Sequence, residues 1–121
     1  MKINTKATNI TLTSDISSYL SKHLAVIEKL VSDTAMCDVE VGKTTMHHKT
    51  GDVFMAEINI VVEGKSFYAK AEREDLYAAI DQVRDEIFRM LTDYKAKRKT
   101  LVRRGGAMIK NMLKGFGRRG N

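Results

Sequence analysis

Between Thr13 and Lys99 the spacing of the apolar residues changes twice, and no proline interrupts either pattern. In the first stretch Ile16, Tyr19, Leu20, Leu24, Ile27, Leu30 and Val31 recur every three or four residues. That is the period of an amphipathic helix and predicts one over about residues 14–32. Thr13 stands before it as an N-cap, and Asp15 lies in the first turn at the positive end of the helix dipole. The period then falls to two. Cys37, Val39 and Val41 alternate with Asp38 and Glu40. Phe54, Ala56, Ile58, Ile60 and Val62 alternate with Met55, Glu57, Asn59, Val61 and Glu63, and Phe67, Ala69 and Ala71 with Tyr68, Lys70 and Glu72. Such alternation describes strands with one buried and one wet face. Gly64 and Lys65 mark a tight turn that joins the last two strands into an antiparallel hairpin. The connection from Thr44 to Asp52 is longer and polar, with Gly51 as its turn residue.

From Asp75 the helical period returns. Leu76, Ile80, Val83, Ile87, Met90, Leu91 and Tyr94 define one face, with Asp81, Asp85, Arg89 and Thr92 opposite, and the pattern runs to about Lys99. Lys2 to Ala7, with Ile3, Thr5 and Ala7 on one side, reads as a short strand ahead of the first helix. The order is therefore β-α-β-β-β-α. Two amphipathic helices and a half-wet sheet hide their apolar faces by packing on each other, which predicts a two-layer α+β sandwich: a four-stranded sheet with both helices on one face. A chain of 121 residues holds one such domain, residues 1–99, and leaves 100–121 as a basic, glycine-rich tail. No segment is long and apolar enough to span a membrane, the N-terminus lacks the apolar core of a secretory signal, and Cys37 has no second cysteine to pair with. These features point to a reducing, cytoplasmic location.

The formal net charge of +6 is unevenly placed. Residues 1–94 hold 11 Lys/Arg and all 15 Asp/Glu, a balance of −4, whereas residues 95–121 hold 10 Lys/Arg and no acid. These ten are Lys95, Lys97, Arg98, Lys99, Arg103, Arg104, Lys110, Lys114, Arg118 and Arg119. An acid-free basic end of this density is attracted to a polyanion. Nucleic acid is the partner it favours over an anionic membrane, because the amphipathic part of the tail, Ala107 to Phe116, is short for a membrane anchor.

The element order, the stretch Ala69-Lys-Ala-Glu-Arg-Glu-Asp-Leu-Tyr-Ala-Ala-Ile-Asp81 and the lysine-rich end of the last helix resemble the ribosome hibernation promoting factor family. The same family includes the ribosome-associated translation inhibitors and was once called the sigma-54 modulation proteins. The resemblance covers about residues 1–99. It implies a double-stranded-RNA-binding-domain-like fold that binds the small ribosomal subunit and its ribosomal RNA, in the channel used by messenger and transfer RNA, and inhibits translation in stationary phase or stress. It implies no catalysis. Two departures stand out. Glu86 and Asp93 occupy positions where members carry lysines, and only 22 residues follow Lys99, so the chain looks like a short form without a ribosome-pairing domain of its own. That leaves room for a separate pairing factor.

Lys and Arg bind phosphates without reading base sequence, so the candidate RNA-binding residues are Arg89 together with the ten basic residues above. Arg89, Lys95, Lys97, Arg98 and Lys99 match basic positions or regions of the family, Lys97 most closely. Arg103 to Arg119 rest on electrostatics alone. Arg89 also has a structural explanation as a helix partner of Asp85. Tyr68, on the predicted wet face of the sheet, is a candidate for base stacking, while Tyr77 on an apolar helix face reads as core. Cys37, His23, His47 and His48 fit no zinc spacing, and a solvated loop accounts better for the adjacent histidines. No metal and no cofactor are expected. Ser14, Ser17, Ser18 and Ser21 lack a nucleophile-elbow context, and no glycine-rich nucleotide motif is present, so the chain reads as a non-enzyme without a small-molecule substrate. A general double-stranded RNA-binding module acting off the ribosome is the alternative.

Overall fold

The computed structural model describes residues 1–44 and 51–103, with the side chains of 101–103 left aside. His47 and His48, and the tail positions Arg104, Lys110, Lys114, Arg118 and Arg119, lie outside the described residues. The observed order is β1 (Lys2–Thr8), α1 (Ser14–Glu28), β2 (Met36–Lys43), β3 (Phe54–Val62), β4 (Lys65–Arg73) and α2 (Leu76–Arg103). This is the predicted β-α-β-β-β-α sequence. The strands form one four-stranded sheet in the order β1-β2-β3-β4. β1 and β2 are parallel, with α1 as the crossover that parallel strands require, and the other two pairs are antiparallel.

The chain divides into two compact units, Met1–Met90 and Leu91–Asn121. In the first, one face of the sheet is dry: Cys37, Val39, Val41, Ala56, Ile58, Ile60, Val62, Phe67, Ala69 and Ala71 are all buried. Leu20, Leu24 and Ile27 of α1 and Leu76, Ala79, Ile80, Val83 and Ile87 of α2 are buried too, so both helices lie on that face. The opposite face is largely open, although Met55, predicted on its wet side, is buried there. Its registers align Lys6, Glu40, Glu57 and Lys70 in one row across the four strands, and Asn4, Asp38, Asn59 and Tyr68 in the next. Burial pushes the Cys37 thiol up to about 11, and the residue serves as the small buried hydrophobe that its alternating context predicts.

Local chemistry sets the boundaries. The Thr13 side chain accepts a hydrogen bond from the Ile16 N–H at 3.2 Å, as an N-cap should. At the other end α1 stops at Glu28, four residues short of the predicted 32. The last turn tightens there, with the Leu30 N–H donating to the Ile27 carbonyl at 2.9 Å. Ser32, Asp33 and Thr34 then favour a turn over continued helix: the Ser32 and Thr34 hydroxyls lie 2.8 Å apart and the Ala35 N–H donates to the Ser32 carbonyl. The hairpin turn is Glu63–Gly64, not Gly64–Lys65. Both have positive φ, 53° and 79°, as a two-residue type I′ turn demands, and Lys65 already belongs to β4. The Asp75 carboxylate caps α2 by accepting from the Tyr77 N–H at 3.0 Å. Unbroken by glycine or proline, the helix continues to Arg103, past the predicted Lys99. Met90, placed by its spacing on the apolar face, is 37 % exposed, while Ala79, absent from that prediction, is fully buried.

Candidate nucleic-acid interface

The last turns of α2 hold Lys95, Lys97, Arg98 and Lys99, all exposed. Lys95, Arg98 and Lys99 are spaced three and four apart and share one side of the helix, whereas Lys97 points away from them. Beyond Asp93 the sequence contains no carboxylate to neutralise this charge, and lysines and arginines also suit the negative end of a helix dipole. The Arg98 guanidinium lies over the Tyr94 ring, 5.7 Å from its centroid and one helical turn away. Arg103 closes the helix.

Arg89 sits in different surroundings. It lines a shallow surface depression with Arg73, Gln82, Asp81, Asp85 and Glu86. The Arg73 Nη1 donates to Gln82 Oε1 at 3.1 Å, and Gln82 Nε2 donates to Glu86 at 3.1 Å. Asp85 is paired with Arg84, Nε to Oδ1, at 2.7 Å. Three carboxylates around this depression, Asp81, Asp85 and Glu86, oppose the approach of a phosphate to Arg89.

Tyr68 is half exposed on the open sheet face, as predicted. Its hydroxyl donates to Glu57, a bond that holds the phenol above its ordinary pKa. That face carries Asp38, Glu40, Glu57 and Glu72 against Lys2, Lys6 and Lys70.

A cluster between the two helices has no counterpart in the sequence reading. Asp81 Oδ1 accepts from the Tyr19 hydroxyl at 2.6 Å and lies 2.8 Å from His23 Nε2. The Tyr19 and His23 rings stack at 4.1 Å, and Tyr77 meets Tyr19 edge-on at 4.7 Å. The bond to Asp81, helped by burial, pushes the Tyr19 phenol up to about 12. The four-residue spacing of Tyr19 and His23 was the one available signal, and nothing in it named Asp81 as their partner. His23 is thus taken up in helix packing, and among the described residues no three His, Cys, Asp or Glu side chains are grouped to hold a metal ion.

Residues 3–99 match the family described as sigma 54 modulation protein / S30EA ribosomal protein. The ribosome hibernation promoting factor of Pseudomonas putida is 26% identical over 107 residues, covering 88% of this chain and 99% of that protein. The factor of the same name from Escherichia coli K12 is 26% identical over 99 residues, 82% of this chain and 98% of its own. The ribosome hibernation promotion factor of Picosynechococcus is 32% identical over 98 residues, 80% of this chain and 50% of its own length. Among solved structures, the protein Y N-terminal domain of Thermus thermophilus superposes with a TM-score of 0.66 at 26% identity, covering 78% of this chain and 99% of that domain. The match spans the sheet and α2 as far as Lys99, and by it the chain belongs to the sigma 54 modulation protein / S30EA ribosomal protein family.

Proposed function

We propose that the protein binds the small ribosomal subunit, occupies the channel used by messenger and transfer RNA, and so inhibits translation and holds idle ribosomes in hibernation. Support comes from the family match and from curated relatives named as hibernation promoting factors. The observation that carries the reading to a mode of binding is the acid-free run of exposed basic residues at the end of α2. Lys95, Lys97, Arg98 and Lys99 contact phosphates, and the basic residues from Arg103 to Arg119 extend that contact. Residues 1–94 are net negative, so RNA meets the protein at this cluster, and the α+β unit then excludes competing RNA sterically. No bond is made or broken, and neither a metal nor a cofactor has a step to serve. The work is done in the cytoplasm, where ribosomes are.

The test is co-sedimentation of the purified protein with small subunits and whole ribosomes across a salt series, beside a translation assay and a naked duplex RNA control. Saturation near one per ribosome with inhibition and weak duplex binding is the expected result. If the tail and helix end neutralise on the order of six phosphates, the log–log salt slope is about −4 to −5. Equal, non-saturating affinity for duplex RNA and ribosomes would refute the reading in favour of a general RNA-binding module.

A further inference from the structure

We propose that Tyr94 and Arg98 form a stacking site for an unpaired RNA base, a contact separate from the phosphate contacts of the neighbouring lysines. The proposal rests on the RNA-binding reading above. Tyr94 was assigned by its spacing to the apolar face of α2, yet it is not fully buried, and the Arg98 guanidinium lies over its ring at 5.7 Å. A tyrosine ring and a guanidinium plane are the two protein surfaces on which unstacked bases settle, and here each orders the other one helical turn apart. Lys95 and Lys99 flank Arg98 on the same side of the helix, so a strand drawn in by its phosphates brings its bases past this pair. Tyr68 is the weaker platform. The carboxylates of the open sheet face, Glu57 at the Tyr68 hydroxyl among them, repel the phosphates that would accompany a base.

The chain contains no tryptophan, so Tyr94→Trp and Tyr68→Trp each yield a protein with one indole reporter. Each full-length variant is titrated with a short single-stranded RNA and with heparin, a polyanion without bases. RNA is expected to quench the fluorescence of Tyr94→Trp to saturation, with little change for Tyr68→Trp, while heparin binds and leaves both unquenched. In parallel, Tyr94→Leu should weaken single-stranded RNA binding roughly 5- to 150-fold. It should leave duplex affinity and the salt slope unchanged, because a stacked base releases no counterions and duplex bases are already stacked. Lys97→Ala should instead lower the slope by about 0.7 on single strands. A saturated RNA complex with unquenched Tyr94→Trp, or full affinity in Tyr94→Leu while Lys97→Ala still lowers the slope, overturns the stacking site and leaves RNA binding intact. Wild-type protein that binds neither the RNA nor small subunits overturns both. If Tyr94→Leu fails to fold, the Tyr94→Trp titration decides alone.

Discussion

Replacing Gly42 by alanine should be among the most damaging small changes this fold can suffer. Gly42 lies in β2 between Thr8 of β1 and Met55 of β3. A Cβ at this position would stand 2.2 Å from the Thr8 carbonyl oxygen, 3.0 Å from its carbon and 3.1 Å from the Thr8 Cβ. Carbon and carbonyl oxygen ordinarily stay about 3.3 Å apart, so one of the two strands must move by about an ångström. β1 is the edge strand and would give way. Its end is tied to β2 by the Thr8 hydroxyl donating to Glu40 at 2.7 Å and by Asn9 Nδ2 donating to the Lys43 carbonyl at 3.2 Å. Overpacking costs about 1–3 kcal/mol and a lost hydrogen bond about 1 kcal/mol more, so we expect about 3 kcal/mol and a fall in melting temperature of about 10 °C. Gly64→Ala is the control. Its φ is +79° and nothing lies within 4 Å, so only the left-handed backbone penalty of about 1–2 kcal/mol applies. Paired thermal melts followed by circular dichroism measure both. If Gly42→Ala melts at or above the temperature of Gly64→Ala, the close approach of β1 to β2 is wrong and the argument falls with it.

The Tyr19 phenol, raised to about 12 against an ordinary value of about 10, should titrate late, and Asp81→Asn should return it toward the ordinary range without moving Tyr68, whose shift comes from Glu57. Because the folded value is the higher one, the stabilisation from this bond is complete below about pH 10 and disappears as the pH rises through about 12; phenolate absorbance and alkaline melts check both statements. Ile27 is fully buried and Met90 is 37 % exposed, so Ile27→Ala should cost about 2–5 kcal/mol and Met90→Ala less than about 1 kcal/mol in guanidinium unfolding with unchanged m.

What the sequence disclosed and what it concealed follow from the range of the signals. Alternation in Ala56, Ile58, Ile60 and Val62 reports a sheet face directly, because the strand period is two and every second residue meets the same environment. The helical period is less direct. Met90 stands three residues after Ile87, the same step that separates the buried Ala79 from Leu76 and Val83 from Ile80, yet it is 37 % exposed; a period reports which side of a helix a residue shares and not what covers that side at each turn. Leu30 and Val31 kept the helical rhythm although the helix had ended, because the turn that follows half-buries them as well. Asp81 was legible as polar and was placed on the wet side of α2. A helix pattern describes one helix, and nothing in it encodes that Tyr19 and His23 of α1 would meet that carboxylate across 62 and 58 residues of chain.

The candidate site was legible for a different reason: charge needs no partner to be read. Ten basic residues without an acid predict a polyanion partner whatever their fold. Pattern alone could not choose among wet surfaces, since the open face of the sheet and the end of α2 both present lysines. The registers show what stands beside the lysines of the sheet. Across the four strands Lys6 and Lys70 flank Glu40 and Glu57, so the lysines of the sheet stand beside carboxylates that cancel their field at any distance from which an incoming strand would feel it. Past Asp93, which itself stands one helical turn before Lys97, the sequence holds no Asp or Glu. On the proposed reading the same contrast separates the exposed Tyr68 from the half-buried Tyr94: the acids around Tyr68 repel the phosphates that accompany every base, whereas the basic residues beside Tyr94 attract them.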